Sequence, residues 1–188
     1  MSSLSFKSPE SSPRQILSIV QIKQLYNLAD VKERVMLSLF YGCGLRRSEG
    51  EQLNLKDVSF KSGLLYVRKG KGGKRRAVPM SEKVIEDLKI YVEQDRRWTE
   101  KNNGLVLNAW GRRMRGESYN GMLKILLKRT GISSQITLHS LRHSIASHLL
   151  ERGLSVEYVR DFLGHKHLES TQIYTHIKSD QIWNWNST

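Results

Sequence analysis

Residues 137–177 read TLHSLRHSIASHLLERGLSVEYVRDFLGHKHLESTQIYTHI, and the reading of this stretch decides the fold. Three helices fit it. One runs from His139 to about Arg152 and is ended by Gly153. The next is capped by Ser155, carries Val156, Val159, Phe162 and Leu163 on its apolar side, and stops at Gly164. A short third helix, Glu169 to Ile177, bears Tyr174. His139 and Arg142 stand three apart and so share a helix face. His165 falls in the turn after Gly164, and Tyr174 follows nine residues later. Two imidazoles, a guanidinium and a phenol are the groups needed to hold a phosphate and attack it.

Such a site needs more positive charge, and the composition supplies it. The chain has 188 residues, with 31 Lys and Arg against 18 Asp and Glu, a formal net charge of +13. A domain this basic usually meets a polyanion, although a solvated basic face would give the same total. The length suits one domain with a real core. No apolar run approaches the ~18 residues of a membrane span, and the N-terminus lacks the apolar core of a signal peptide. The single cysteine, Cys43, has no partner for an internal disulfide, which fits a cytoplasmic setting. Residues 1–15 are rich in Ser, with Pro9 and Pro13, and read as a flexible lead or linker. Residues 16–178 form the expected folded domain, and residues 179–188 a tail bearing Trp183 and Trp185 that packs on its own domain or on a neighbour.

Upstream, Ser18–Leu28 and Val31–Tyr41 carry apolar residues at helical spacing and are predicted core helices. Gly42-Cys43-Gly44 ends the second, and Leu45-Arg46-Arg47-Ser48-Glu49 opens a short helix. Two arginines there sit badly with the positive end of the helix dipole. Either an anion binds among them, or they are solvated with Glu49 and Glu51 as partners. From Val58 the pattern turns to strands: Val58–Phe60, Leu64–Arg68 and Arg75–Val78, a small three-stranded antiparallel sheet. Its second turn sets Lys69, Lys71, Lys74, Arg75 and Arg76 around three glycines, which suits either phosphate or minor-groove contact or a merely solubilising turn. Ser81 caps a helix running to about Trp98, Leu105–Leu107 is a candidate strand, and Ser118–Arg129 is a further helix. Arg112, Arg113 and Arg115 form a second basic loop on the expected DNA side. The fold class is therefore α+β, mainly α-helical.

Four motifs in order resemble the catalytic domain of the tyrosine recombinases, the integrase family, and within it the Xer-like bacterial members. Gly44-Leu45-Arg46-Arg47-Ser48-Glu49 is similar to G-L-R-x-S-E, and Gly70-Lys71-Gly72-Gly73-Lys74 to the hairpin G-K-G-x-K. His139-Ser140-Leu141-Arg142-His143 matches H-x-L-R-H. Leu163-Gly164-His165 followed by Ile173-Tyr174-Thr175-His176 matches L-G-H and I-Y-T-H. Each alone is weak; the ordered set is specific.

The resemblance implies the following roles. Arg46 and Arg142 clamp the non-bridging oxygens of the scissile phosphate, with Glu49 orienting Arg46. Lys71 is the general acid for the leaving 5′ oxygen, with Lys69 and Lys74 as competitors for that role. His139 supports proton transfer from the tyrosine, His165 hydrogen-bonds the phosphate, and Tyr174 is the nucleophile that forms a 3′-phosphotyrosyl link. Arg47, Lys69, Lys74, Arg75, Arg76, Arg112, Arg113, Arg115 and His143 are the expected DNA contacts. The link conserves the phosphoester energy, so neither a nucleotide, a metal nor another cofactor is expected. The expected partner is a specific double-stranded DNA site, bound as a homotetramer by a protein that is monomeric without DNA. The family's N-terminal core-binding domain has no counterpart here, and the chain alone is expected to bind weakly. Two other functions share these residues. A type IB topoisomerase relaxes DNA with similar chemistry, against which the L-G-H…I-Y-T-H spacing argues. A catalytically silent DNA-binding module would not need all six residues.

Overall fold

The computed structural model describes residues 15–68, 75–96 and 102–164. Helix α1, Ile19–Leu28, starts at Ser18, whose hydroxyl accepts from Gln21 N at 3.2 Å while the Gln21 side chain accepts from Ser18 N at 2.9 Å. The exchange satisfies two donors that a helix start otherwise leaves unpaired. Asp30 and Glu33 repeat the arrangement at the head of α2, Val31–Leu37. Helix α2 then widens into a π-helical turn, Ser38–Gly42. This stretch is the centre of the molecule: every residue from Val35 to Leu45 is buried. Within it, Ser38 donates to Asp87 Oδ2 at 2.8 Å.

Helix α3, Arg47–Gln52, precedes the sheet. Strands β1 (Val58–Ser59), β2 (Leu64–Arg68) and β3 (Arg75–Pro79) pair antiparallel in the order β1-β2-β3. Leu65 and Val67 face the core from β2, and Val78 and Arg76 face it from β3, in the register Leu65↔Val78 and Val67↔Arg76. Helix α4, Glu82–Ile90, is capped by Ser81 and ends in a second π-helical turn, Tyr91–Asp95. Helix α5 is Gly116–Thr130, α6 is Leu138–Glu151 and α7 is Val156–Leu163. Gly131 and Gly164 end α5 and α7 at φ of +71° and +74°, a conformation glycine adopts without a Cβ penalty. Helices α4, α5 and α6 pack around α2 and its π turn, and α1 lies against α5. Among the described residues, no helix is long and apolar enough to cross a membrane.

Two expected elements differ. Leu105–Leu107 makes no strand: only isolated bridges form there, Asn54↔Gly104 just before it and Leu107↔Arg113 at its end. The three residues are buried and bond to two different segments, Leu105 N to Leu53 O and Met114 N to Val106 O, each at 2.9 Å. They serve as a core plug between two loops, which no two-residue ladder repeat can follow. The helix after Ser81 ends at Asp95, because Arg96 turns inward and donates to the carbonyls of Asn102, Gly104 and Leu105. Trp98 lies outside the described residues.

Candidate active site

The site begins with the turn after α2. Cys43 N donates to Ser38 O at 2.8 Å and Leu45 N to Leu39 O at 3.1 Å, and Gly44 completes the turn at φ +57°. Leu45 is buried, which throws Arg46 outward at the boundary of α3. Glu49, one turn into α3, folds back: Oε2 accepts from Arg46 N at 2.8 Å and Oε1 from Arg46 Nη1 at 3.0 Å. The carboxylate thus answers the charge problem at this helix start. It places a negative group in the first turn and draws the arginine off the helix axis. Arg47 is exposed and swings to the other side, with Nε 3.7 Å from Glu51 and Nη1 3.8 Å from Glu117. It lies over Gly116, where an added Cβ would sit 2.5 Å from Arg47 Cδ.

Arg142 arrives from the second turn of α6. It is buried, donating through Nη1 to Gly44 O and through Nη2 to Leu163 O at 2.7 Å. Two of its five N–H groups are thereby committed to main chain. Nη1 also lies 3.9 Å from Glu49 Oε2. Burial, and then the neighbouring Arg46, push this guanidinium down to about 10, with Glu49 opposing them and Arg76 adding to them. It stays protonated at neutral pH, in surroundings that already hold an excess of positive charge.

The third guanidinium is Arg76, expected among the DNA contacts. The structure corrects that expectation: Arg76 lies on the core face of β3 and is only 9% exposed. Nη2 donates to Glu49 Oε2 at 2.8 Å and Nη1 to Phe162 O at 3.0 Å. Burial beside a carboxylate and a carbonyl, rather than solvation, fixes its position. Period-two alternation with Val78 was the signal for this placement. Arg113 departs similarly, because its guanidinium donates to Glu51 O at 3.1 Å, Leu53 O at 2.6 Å and Asn54 Oδ1 at 2.5 Å. Those bonds stitch the loop before α5 to the end of α3. Arg112 and Arg115 remain exposed, beside a cleft of roughly 730 Å³ also lined by Glu51, Glu117 and Ser118.

His139 is exposed on the first turn of α6. Its Nε2 is 2.7 Å from Nε2 of His143, the rings edge to face at 4.2 Å. At that separation one nitrogen donates and the other accepts, the roles set by the tautomers of the two rings. His143, expected to touch DNA, is set against His139. Lys69, Lys71, Lys74, His165 and Tyr174 lie outside the described residues, as does the side chain of Arg75. The elements that lead to them are described. Arg68 pairs with Arg75 where β2 and β3 approach residues 69–74, and α7 ends at Gly164 immediately before His165.

A buried-to-half-exposed group of three guanidiniums meeting one carboxylate, with an exposed imidazole three residues before Arg142 on the same helix, is an anion-binding arrangement. Comparison with known proteins gives the same class. Residues 12–181 match the phage integrase family, and the chain belongs to it. The tyrosine recombinase XerC of Chlamydia trachomatis is 39% identical over 165 residues, covering 87% of this chain and 52% of that protein. XerA of Pyrococcus horikoshii is 36% identical over 180 residues, covering 94% of this chain and 61% of that protein. The chain therefore spans little more than half the length of these relatives. Among solved structures, the XerA recombinase superposes with a TM-score of 0.77 at 30% identity, over 93% of this chain and 64% of that one. The integrase of transposon Tn1549, solved with transposon right-end DNA, superposes with a TM-score of 0.72 at 21% identity, over 84% and 60%. At that identity the likeness establishes the fold.

Proposed function

We propose that this chain is the catalytic domain of a site-specific recombinase that cleaves and rejoins DNA through a 3′-phosphotyrosyl intermediate. The observation that carries the reading is the gathering of Arg46, Arg76 and Arg142 on the single carboxylate of Glu49. A scissile phosphodiester brings the negative charge this cluster lacks. As an oxygen attacks, charge builds on the equatorial oxygens of phosphorus, where planar guanidinium donors stabilise it most. Arg46, with 41% of its side chain exposed, presents its free edge to the solvent side, while Arg142 supports from below.

In the proposed reaction the Tyr174 phenol oxygen attacks phosphorus and the bond to the 5′ oxygen breaks. The phenolic proton passes to His139, and Lys71 protonates the departing 5′ oxygen. A phenol with a pKa near ~10 requires such help at neutral pH. Attack by a 5′ hydroxyl of another strand reverses these steps and reseals the DNA, with His165 on the phosphate throughout. Residues 16–178 are the proposed catalytic unit. Duplex DNA is the proposed partner, in a tetramer on two duplexes and with a DNA-clamping domain elsewhere in the full protein. The net charge of +13 and the family membership support this.

The test is covalent trapping. A library of nicked duplexes with a randomised central segment is incubated with the chain, and denaturant-resistant protein–DNA adducts are recovered and sequenced. Adducts that converge on one sequence and vanish in Tyr174→Phe are expected. Arg142→Ala should lose adduct formation far more than DNA binding, because its donors matter most to the charged transition state. Absence of any adduct overturns the reading in favour of a binding module.

A further inference from the structure

Arg76 is assigned no step in the reaction just described, yet its guanidinium spans two separate elements of the site. It joins three parts that are distant in sequence. It sits on β3, one residue after the strand emerges from residues 69–74, where Lys71 lies. Nη2 holds Glu49 Oε2 at 2.8 Å, and that same oxygen accepts from the Arg46 main chain at 2.8 Å. Nη1 holds Phe162 O at 3.0 Å, at the end of α7 just before Gly164 and His165. Gly164 is packed under it, since an added Cβ there would come 2.4 Å from Arg76 Nε. The Nε–H is buried and has no acceptor among the described residues.

We infer that Arg76 is a positioning residue for strand cleavage, coupling the strand that follows Lys71 to the Glu49–Arg46 pair and to the end of α7 ahead of His165. The inference rests on the proposed recombinase activity. Without the Arg76 fork, Glu49 can rotate away from Arg46, and β3 and α7 lose their shared anchor. Each catalytic group keeps its chemistry, but their alignment around one phosphorus is lost. Displacements of about 1 Å at such a site cost up to roughly 100-fold in rate. A lysine cannot replace the fork, because a single ammonium does not present the planar pair of donors that spans Glu49 and Phe162 O.

The test uses the whole chain and the duplex recovered by trapping. Arg76→Lys, Arg76→Gln, Glu49→Gln and the double variant Arg76→Lys/Glu49→Gln are compared with wild type. Three quantities are read: thermal midpoint, DNA affinity in a Tyr174→Phe background, and the single-turnover rate of adduct formation at saturating DNA. Arg76→Lys is expected to slow adduct formation roughly 10- to 100-fold with affinity changed less than about threefold. The double variant is expected to be no slower than its slower parent, because both substitutions break one contact. Full-rate cleavage by folded Arg76→Lys, a loss of affinity equal to the loss of rate, or multiplicative losses in the double variant each overturn the inference. If both Arg76 variants are unfolded at the assay temperature, rate and affinity are read below their thermal midpoints, where the same outcomes decide. Failure of the wild-type chain to trap DNA overturns the functional reading, and this inference with it. Normal trapping with an unaffected variant overturns only the inference.

Discussion

Arg142 donates through Nη1 to the carbonyl oxygen of Gly44, a residue 98 positions earlier in the chain. The bond ties the second turn of α6 to the turn that presents Arg46, so Arg142 is anchored to the backbone two residues before the other arginine expected to share its phosphate. The Gly44 carbonyl is aimed at Arg142 only because the residue adopts φ +57°. An added Cβ would also meet Leu163 Cδ2 at 2.8 Å and Phe162 Cε1 at 3.1 Å. Gly44→Ala is therefore expected to cost about 2–4 kcal/mol of stability, from left-handed strain and overpacking together. Urea unfolding measures it. At temperatures where the variant is folded, adduct formation should still fall, because the Arg142 acceptor has moved.

Gly50 is a glycine in the middle of α3, a position where alanine ordinarily gains about 1 kcal/mol of helix propensity. Here the opposite sign is expected. The site is buried, and an added Cβ would stand 2.6 Å from Phe40 Cζ and 2.9 Å from Phe40 Cε1. Phe40 has nowhere to go: it is fully buried and packs edge-on against Tyr119 with centroids 5.0 Å apart. Overpacking of about 1–3 kcal/mol outweighs the propensity gain. Gly50→Ala should lower the urea midpoint, and Gly50→Ala with Phe40→Leu should recover part of the loss.

His148 gives the fold a pH dependence. It is buried in α6, with Nδ1 2.9 Å from the Tyr41 hydroxyl. Burial lowers its pKa below the ordinary 6.5, against Glu151 and a hydrogen bond with the Leu17 backbone, which raise it, and with Arg152, which lowers it slightly. The unfolded chain therefore takes up the proton first as pH falls. This group leaves stability unaffected well above 6.5 and removes it as pH drops from there through the lower folded value. The urea midpoint should decline between about pH 7 and pH 5, and that part of the decline should disappear in His148→Gln.

Arg112 and Arg115 are the exposed cations of the loop before α5, whereas Arg113 is held by Glu51 O, Leu53 O and Asn54 Oδ1. The affinity for duplex DNA should fall steeply with salt, each neutralised phosphate adding about 0.9 to the log–log slope. Arg112→Ala and Arg115→Ala should each reduce that slope by about 1 and leave the urea midpoint in place. Arg113→Ala should lower the urea midpoint instead. The reverse pattern would mean that Arg113, not its neighbours, meets the DNA.

What could be read directly from the chain were features written within a few residues of one another. Ser81 and Ser155 cap helices, Gly164 ends one, and Leu64–Arg68 forms the predicted strand, because caps and periodicities are short-range. The order of the motifs was equally legible, and with it the family. Long-range pairing was not. Arg76 lies in a run of five cations that reads as one basic turn, yet β3 sends its side chain inward to a carboxylate 27 residues away. Arg113 and Arg115 are two apart and look alike, but only Arg113 meets main-chain carbonyls of the 51–53 segment. The partner of a charge is chosen by which element packs against it. A linear pattern of cations therefore tells that an anion will be met, and the tertiary structure alone decides which guanidiniums are fixed around Glu49 and which remain free for DNA.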